Sequence, residues 1–175
     1  MNSVIRYGII GVFILGAGWV LLSRFWDTPL PEKSEPRPAP EFSLKDYEGR
    51  EIRLSDFQGK AVILNAWAVW CPFCGEELKD FAALQQEFGD KIAVIAIDRA
   101  EPLETAKKFS DDLGVTDKMI FLLDPSDSFY QSIGGFSMPE TIFVDKDGFV
   151  RDHKRGPMEL EEMRRRTEKI LNSGS

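Results

Sequence analysis

The sequence predicts an α/β domain, a mostly parallel sheet with helices on both faces, set behind a single transmembrane helix and a proline-rich tether. Three observations carry this. From residue 41 onward, continuous apolar runs of strand length alternate with helix-length segments, the pattern of βαβ units. The stretch "YGIIGVFILGAGWVLLS", Tyr7 to Ser23, has no charged residue in 17 positions. The stretch "TPLPEKSEPRPAP", residues 28 to 40, holds five prolines in thirteen positions.

At about 1.5 Å per residue, a helix over the uncharged run spans roughly 26 Å, close to the ~30 Å hydrocarbon core of a bilayer. Arg6 and Arg24 flank it and can snorkel to either interface, and Tyr7, Trp19 and Trp26 suit the aromatic belts. The chain is therefore read as a cytoplasmic N-terminus (1–6), a transmembrane signal-anchor (7–25), an extended linker (26–40) and a folded domain (41–173). A cleaved secretory signal is the rival, but Trp19 and Val20 follow Ala17-Gly18 and leave no convincing small-x-small cleavage site. A buried core helix is the third option. The sparse basic residues favour the amino end inside and the domain outside.

The domain opens with a hairpin over "EFSLKDYEGREIRLSDFQGK", turning at Glu48-Gly49. "AVILNAW" is a continuous apolar run, as expected of a strand buried on both faces. Residues 72 to 88 read as a helix and "KIAVIAID" as a second buried strand. Pro102 to Leu113 reads as a helix with Pro102 in its first turn. "MIFLLD" is a third strand and Asp127 to Ile133 a short helix. "TIFVDKDGFVRDHKR" forms a hairpin around Asp147-Gly148 that adds an antiparallel edge, and Glu159 to Leu171 is a closing helix.

The 175 residues are 43% apolar and 29% charged, an ordinary globular composition, with a net charge of −7. That charge argues against a nucleic-acid binder, since nothing basic is clustered to meet phosphates. The one dense basic run, Arg164 to Arg166, lies among Glu161, Glu162 and Glu168 and reads as a solvated helix face.

The two cysteines sit three apart, as Cys71-Pro72-Phe73-Cys74. A tetrahedral zinc site needs four ligands, and the single histidine, His153, lies far along the chain and reads as a surface residue. A structural clip across two residues restrains the unfolded chain little. The redox reading has positive support: the pair follows a buried strand and opens a helix. Cys71 would then sit at the helix N-terminus with Pro72 at the first helical position, where unpaired N–H groups and the macrodipole favour a thiolate. The thiolate is the attacking species. Cys74, one turn on, can attack the mixed disulfide and release the product. No cofactor or metal is called for, because the disulfide itself carries the electrons.

Positions 74, 77, 81, 84 and 88 form one helical stripe that is otherwise Cys, Phe, Leu and Phe. Glu77 on it would be partly buried, with a raised pKa, and able to trade a proton with Cys74. The alternative is an ordinary first-turn glutamate, a role Glu76 fits better. Pro139, just before a strand, could by itself be any turn proline.

The motifs "LSDFQGK", "ILNAWAVWCPFC", "IAVIAID" and "MPETIFVDKDG" together resemble membrane-anchored thiol–disulfide oxidoreductases of the TlpA/ResA type, in the redoxin/AhpC-TSA-related superfamily, over residues 37 to 173. The resemblance implies a thioredoxin-like fold with a central mixed sheet flanked by helices and an N-terminal β-hairpin. It implies a redox-active disulfide between Cys71, the nucleophile, and Cys74, the resolving thiol, with antioxidant activity. It also implies a cis Met138–Pro139 bond against the cysteines, with a substrate strand pairing along Met138 beside Trp70, Pro72 and Phe73. The family glutamate falls on Glu77. The buried aspartate of cytosolic thioredoxins is Asn65 here, which leaves proton handling to Glu77. Two positions depart from the family: Gly75 replaces a common Arg or Lys, and Lys79 replaces a kinking proline.

The resemblance implies a reductase outside the cytoplasmic membrane, fed by a DsbD- or CcdA-like donor, with an apocytochrome CxxC in cytochrome c biogenesis as a candidate substrate. A disulfide-forming oxidase or isomerase would use the same residues. A peroxiredoxin-like peroxidase would need Thr or Ser three residues before Cys71, where Ala68 stands. A non-catalytic tethered binding module is the remaining alternative. The groove that selects a partner is expected around Phe73, residues 136–138 and residues 99–103.

Overall fold

The computed structural model describes residues 37–173. The expected membrane anchor and most of the linker lie outside the described residues. Among those described, no helix is long and apolar enough to cross a membrane.

The strands, in chain order, are β1 (Arg37–Pro38), β2 (Ser43–Asp46), β3 (Glu51–Arg53), β4 (Ala61–Trp67), β5 (Ile92–Arg99), β6 (Ile120–Asp124), β7 (Glu140–Val144) and β8 (Phe149–Arg155). The helices are α1 (Cys74–Phe88), α2 (Leu103–Asp112), α3 (Ser128–Ser132) and α4 (Leu160–Leu171). The eight strands form one sheet in the order β1-β8-β7-β4-β5-β6-β2-β3.

Only β4–β5 and β5–β6 pair in parallel; every other neighbouring pair is antiparallel. The sheet is thus mixed rather than mostly parallel. The alternation of strand and helix holds only through β4-α1-β5-α2-β6, and hairpins at both ends supply the rest. The last hairpin is also not an edge. β7 lies against β4 in the middle of the sheet, and β8 is covered by β1.

That outer strand corrects the linker boundary. Arg37 and Pro38 pair with Val150 and Phe149, Ala39 N–H donates to Gly148 O at 2.9 Å, and Ala39 is buried. Proline is tolerated there because an edge strand leaves one side of its backbone unpaired.

β4 is buried at all seven positions, β5 at seven of eight and β7 at all five. Two-residue alternation divides their side chains between two faces. Val62, Leu64, Ala66, Ile95 and Ile97 meet Phe42, Leu44, Phe129 and Ile142 on one face. Ile63, Val94 and Phe143 meet Phe81 and Leu84 of α1 and Met163 and Ile170 of α4 on the other. Truncating one such residue, as in Phe81→Ala, costs about 3–5 kcal/mol. α1 runs unbroken through Lys79. The odd face of β4 continues from Ile63 through Asn65 to Trp67, beneath the cysteines.

Candidate active site

Cys71 and Cys74 are joined by a disulfide, with their Cα atoms 5.5 Å apart. They lie between the end of β4 and the first turn of α1. The helix starts later than the sequence suggests. Cys71 to Phe73 form a turn, with Cys74 N–H donating to Cys71 O at 3.3 Å, and the bond from Glu77 N–H to Phe73 O, also 3.3 Å, opens the helical ladder. Pro72 therefore precedes the helix instead of occupying its first position. Cys74 is fully buried and Cys71 nearly so, while Pro72 and Phe73 between them and Trp70 before them are exposed.

Glu77 is 2% exposed. Its Oε1 accepts Met158 N–H at 2.9 Å and its Oε2 accepts the Asn65 Nδ2 amide at 3.1 Å. Burial pushes its carboxyl up to about 8, against the lowering effect of those two donors and with a further push from Asp80. Asn65 also donates to Thr141 Oγ1 at 3.0 Å, and its Oδ1 has no partner among the described residues. Turning the Asn65 amide over sets Oδ1 against Glu77, the arrangement a protonated Glu77 requires.

The Met138–Pro139 bond is cis. Met138 packs against the cluster holding Cys71, Cys74, Trp67 and Leu78. The segment is held from behind by Glu140, which is fully buried. Its Oε2 accepts Phe136 N–H at 2.8 Å and Ser137 N–H at 3.0 Å, and its Oε1 meets His153 Nε2 at 2.6 Å and Arg155 Nε at 3.2 Å. Burial pushes its carboxyl up, but the Phe136 and Ser137 N–H groups and His153 outweigh it and leave it below the usual range. His153 is therefore not a surface residue. β8 pairs His153 with Ile142 and Arg155 with Glu140, and two-residue alternation aims both at one carboxylate.

On the other flank, Arg99 grips Asp127 through two hydrogen bonds, at 2.7 and 2.5 Å. Its guanidinium lies 3.5 Å from the Tyr130 ring centroid and 5.9 Å from that of Trp70. Phe136, at 85% exposure, and Phe73, at 56%, stand out as large exposed apolar side chains. Gly75 has a packing reason: a Cβ there would lie 3.3 Å from the Phe109 ring, leaving little room for the family's longer side chain.

The sequence reading missed Glu140, the Arg99–Asp127–Tyr130 array, and the carboxyl pair Asp98 and Glu101. The available signals were an acid directly after Pro139 and an aspartate closing the apolar run "IAVIAID".

A model of the AhpC/TSA family matches residues 36–153. Thiol-disulfide oxidoreductase ResA of Geobacillus thermodenitrificans is 30% identical over 170 residues, covering 95% of each chain. Thioredoxin-like protein YneN of Bacillus subtilis is 31% identical over 157 residues, 89% of this chain and 92% of that one. Among solved structures, the exposed lipoprotein thioredoxin of Streptococcus pneumoniae is 28% identical with a TM-score of 0.68, covering 75% of this chain and 100% of that one. A thiol:disulfide interchange protein of Chlorobium tepidum, at 24% identity and a TM-score of 0.70, covers 80% of this chain and 99% of its own and shares the thioredoxin-like fold. With its cysteine pair at the end of β4, the chain belongs to the AhpC/TSA family and is a thiol–disulfide oxidoreductase.

Proposed function

We propose that this protein is a reductase of partner-protein disulfides, tethered by residues 7–25 to the cytoplasmic membrane with its domain on the outer side. The observation that supports the thiol exchange is the buried Cys71–Cys74 disulfide with Glu77, raised to about 8 by burial, on the Cys74 face of α1. The direction of electron flow rests on the potential of that pair. In the reduced protein the Cys71 thiolate attacks a partner disulfide, forming a mixed disulfide and expelling one partner thiolate. Cys74 must then lose its proton. Glu77 takes it, and the Cys74 thiolate attacks the Cys71 sulfur. The Cys71–Cys74 disulfide forms and the second partner sulfur leaves as a thiolate, which the Glu77 carboxyl can reprotonate, so two electrons pass from protein to partner. A membrane donor of the DsbD or CcdA type restores the dithiol.

The exposed Trp70, Pro72 and Phe73 and the Met138 backbone beside cis Pro139 form the surface on which a partner strand would lie. An apocytochrome haem-binding CxxC is the first substrate to test. The reduction potential of the Cys71–Cys74 pair decides the direction. A value near or below about −230 mV fits a reductase, and one near about −120 mV would overturn it in favour of a disulfide-forming oxidase.

A further inference from the structure

Asp98 and Glu101 lie outside the thiol exchange just described. Asp98, the next-to-last residue of β5, lies opposite Trp67 in the parallel register, so its side chain shares the face that carries the cysteine cluster. It is completely buried. Its Oδ1 accepts Glu101 N–H at 3.0 Å, and its Oδ2 has no hydrogen-bond partner among the described residues. The Glu101 side chain reaches back across the chain to accept Val69 N–H at 2.8 Å, two residues before Cys71. Two carboxyl groups thus meet beneath the cysteine loop, one orphaned and one gripping that loop.

We propose that Glu101 is a positioning residue for the Cys71 loop and that Asp98 shares a proton with it, so that the pair carries a single negative charge while Cys71 reacts. This rests on Cys71 being the attacking thiol. A proton on Asp98 Oδ2 satisfies the orphaned atom by donating to Glu101, which keeps its Oε2 free for Val69 N–H. Two bare carboxylates this close repel, with Asp98 fully buried and Glu101 half-buried, and one of them retains the proton. Burial and the Glu101 carboxylate do hold the Asp98 carboxyl above the ordinary range, against the Glu101 N–H that lowers it. Among the described residues, neither carboxyl has an ion-pair partner. Tyr47, after β2, faces both carboxyls and adds no positive charge. Arg99, next on β5, is committed to Asp127. Losing the shared proton would place a second negative charge under the loop and loosen the Val69 tie.

The test follows the Val69 amide by two-dimensional NMR in the ¹⁵N-labelled, reduced full chain in detergent, from about pH 5 to about pH 10. The wild-type signal is expected to titrate well above the ordinary carboxylate range. Asp98→Asn, which keeps a donor to Glu101 and carries no proton to lose, should abolish that titration while the signal remains. Glu101→Gln removes the charge but keeps an acceptor. It should shift the midpoint of Cys71 alkylation by iodoacetamide to lower pH, and Glu101→Asp should restore it, a response that loss of structure alone would not give. A Val69 signal that does not titrate in the wild type, or that titrates unchanged in Asp98→Asn, overturns the proposal. Should Glu101→Gln fail to fold, the Asp98→Asn comparison decides alone. The Val69 titration is independent of the direction of electron flow, whereas a Cys71 that resists alkylation at every pH would instead break the proposed thiol exchange.

Discussion

Glu77 on α1 and Glu140 at the start of β7 are both buried, at 2% and 0% exposure, and each holds backbone N–H groups of a segment that the site needs. Their ionisation goes in opposite directions. Glu77 receives two hydrogen bonds, neither from a cation, and burial wins, leaving it near 8. Glu140 receives four, two of them from the side chains of His153 and Arg155, and burial loses. Depth alone therefore does not set the charge of a buried carboxyl; the number and charge of its donors does. One glutamate is held with a raised pKa, and the other, held below the usual range by its donors, anchors the loop before cis Pro139.

The largest expected effect comes from removing the fixed anion. Glu140→Ala leaves two backbone N–H groups and two side-chain donors facing a void, and should cost roughly 3–5 kcal/mol in denaturant unfolding at neutral pH. The pH dependence has a definite sign. The folded-state pKa of Glu140 lies below its ordinary 4.5, so its contribution is present above about pH 4.5 and is lost as pH falls through the folded value. The deficit of the variant should accordingly shrink in acid. A deficit that grows in acid would mean that Glu140 is not the anion described here.

Glu77→Gln should behave in the opposite way. With a folded pKa near 8 against an ordinary 4.5, the wild type is most stable below pH 4.5 and loses stability as pH rises through 8. The substituted amide does not ionise, and Asn65 can turn its unpartnered Oδ1 to meet it. The variant should match the wild type below about pH 4.5 and exceed it by up to about 5 kcal/mol above pH 8. In single-turnover experiments it should also release the mixed disulfide more slowly, because Cys74 has lost its proton acceptor. Unchanged release would remove Glu77 from the chemistry and leave it a purely structural residue.

These two residues also mark where the sequence is readable. Glu77 was visible because a helix repeats every 3.6 residues, and a lone carboxylate on a Cys-Phe-Leu-Phe stripe stands out. The strand–CxxC–helix order and the buried strands were legible for the same reason, since local pattern specifies local structure. Glu140 was not legible. Its partners His153 and Arg155 lie on the next strand, and only the β7–β8 register brings all three together. The Asp98–Glu101–Val69 contact likewise joins the end of one strand to the loop after another. The attachment of Arg37 and Pro38 to β8 was hidden because proline-rich composition reads as tether whether or not an edge strand is waiting to receive it.

The smallest effect separates the donors of Glu140 from one another. His153 is 15% exposed and approaches Oε1 at 2.6 Å, whereas Arg155 is 53% exposed and lies at 3.2 Å. Water can take over from Arg155, so Arg155→Ala should change stability by less than about 0.5 kcal/mol. His153→Ala removes a sheltered donor that little water can replace, and should cost about 1 kcal/mol. Because both variants leave the Phe136 and Ser137 N–H bonds in place, Glu140 should stay ionised at neutral pH in each. Carboxyl ¹³C shifts of Glu140 across the acid range would read this directly, with a midpoint that rises more in His153→Ala than in Arg155→Ala. If the Arg155 variant moved that midpoint further, net charge rather than shelter would rank the donors, and the contrast with Glu77 would rest on the cations alone.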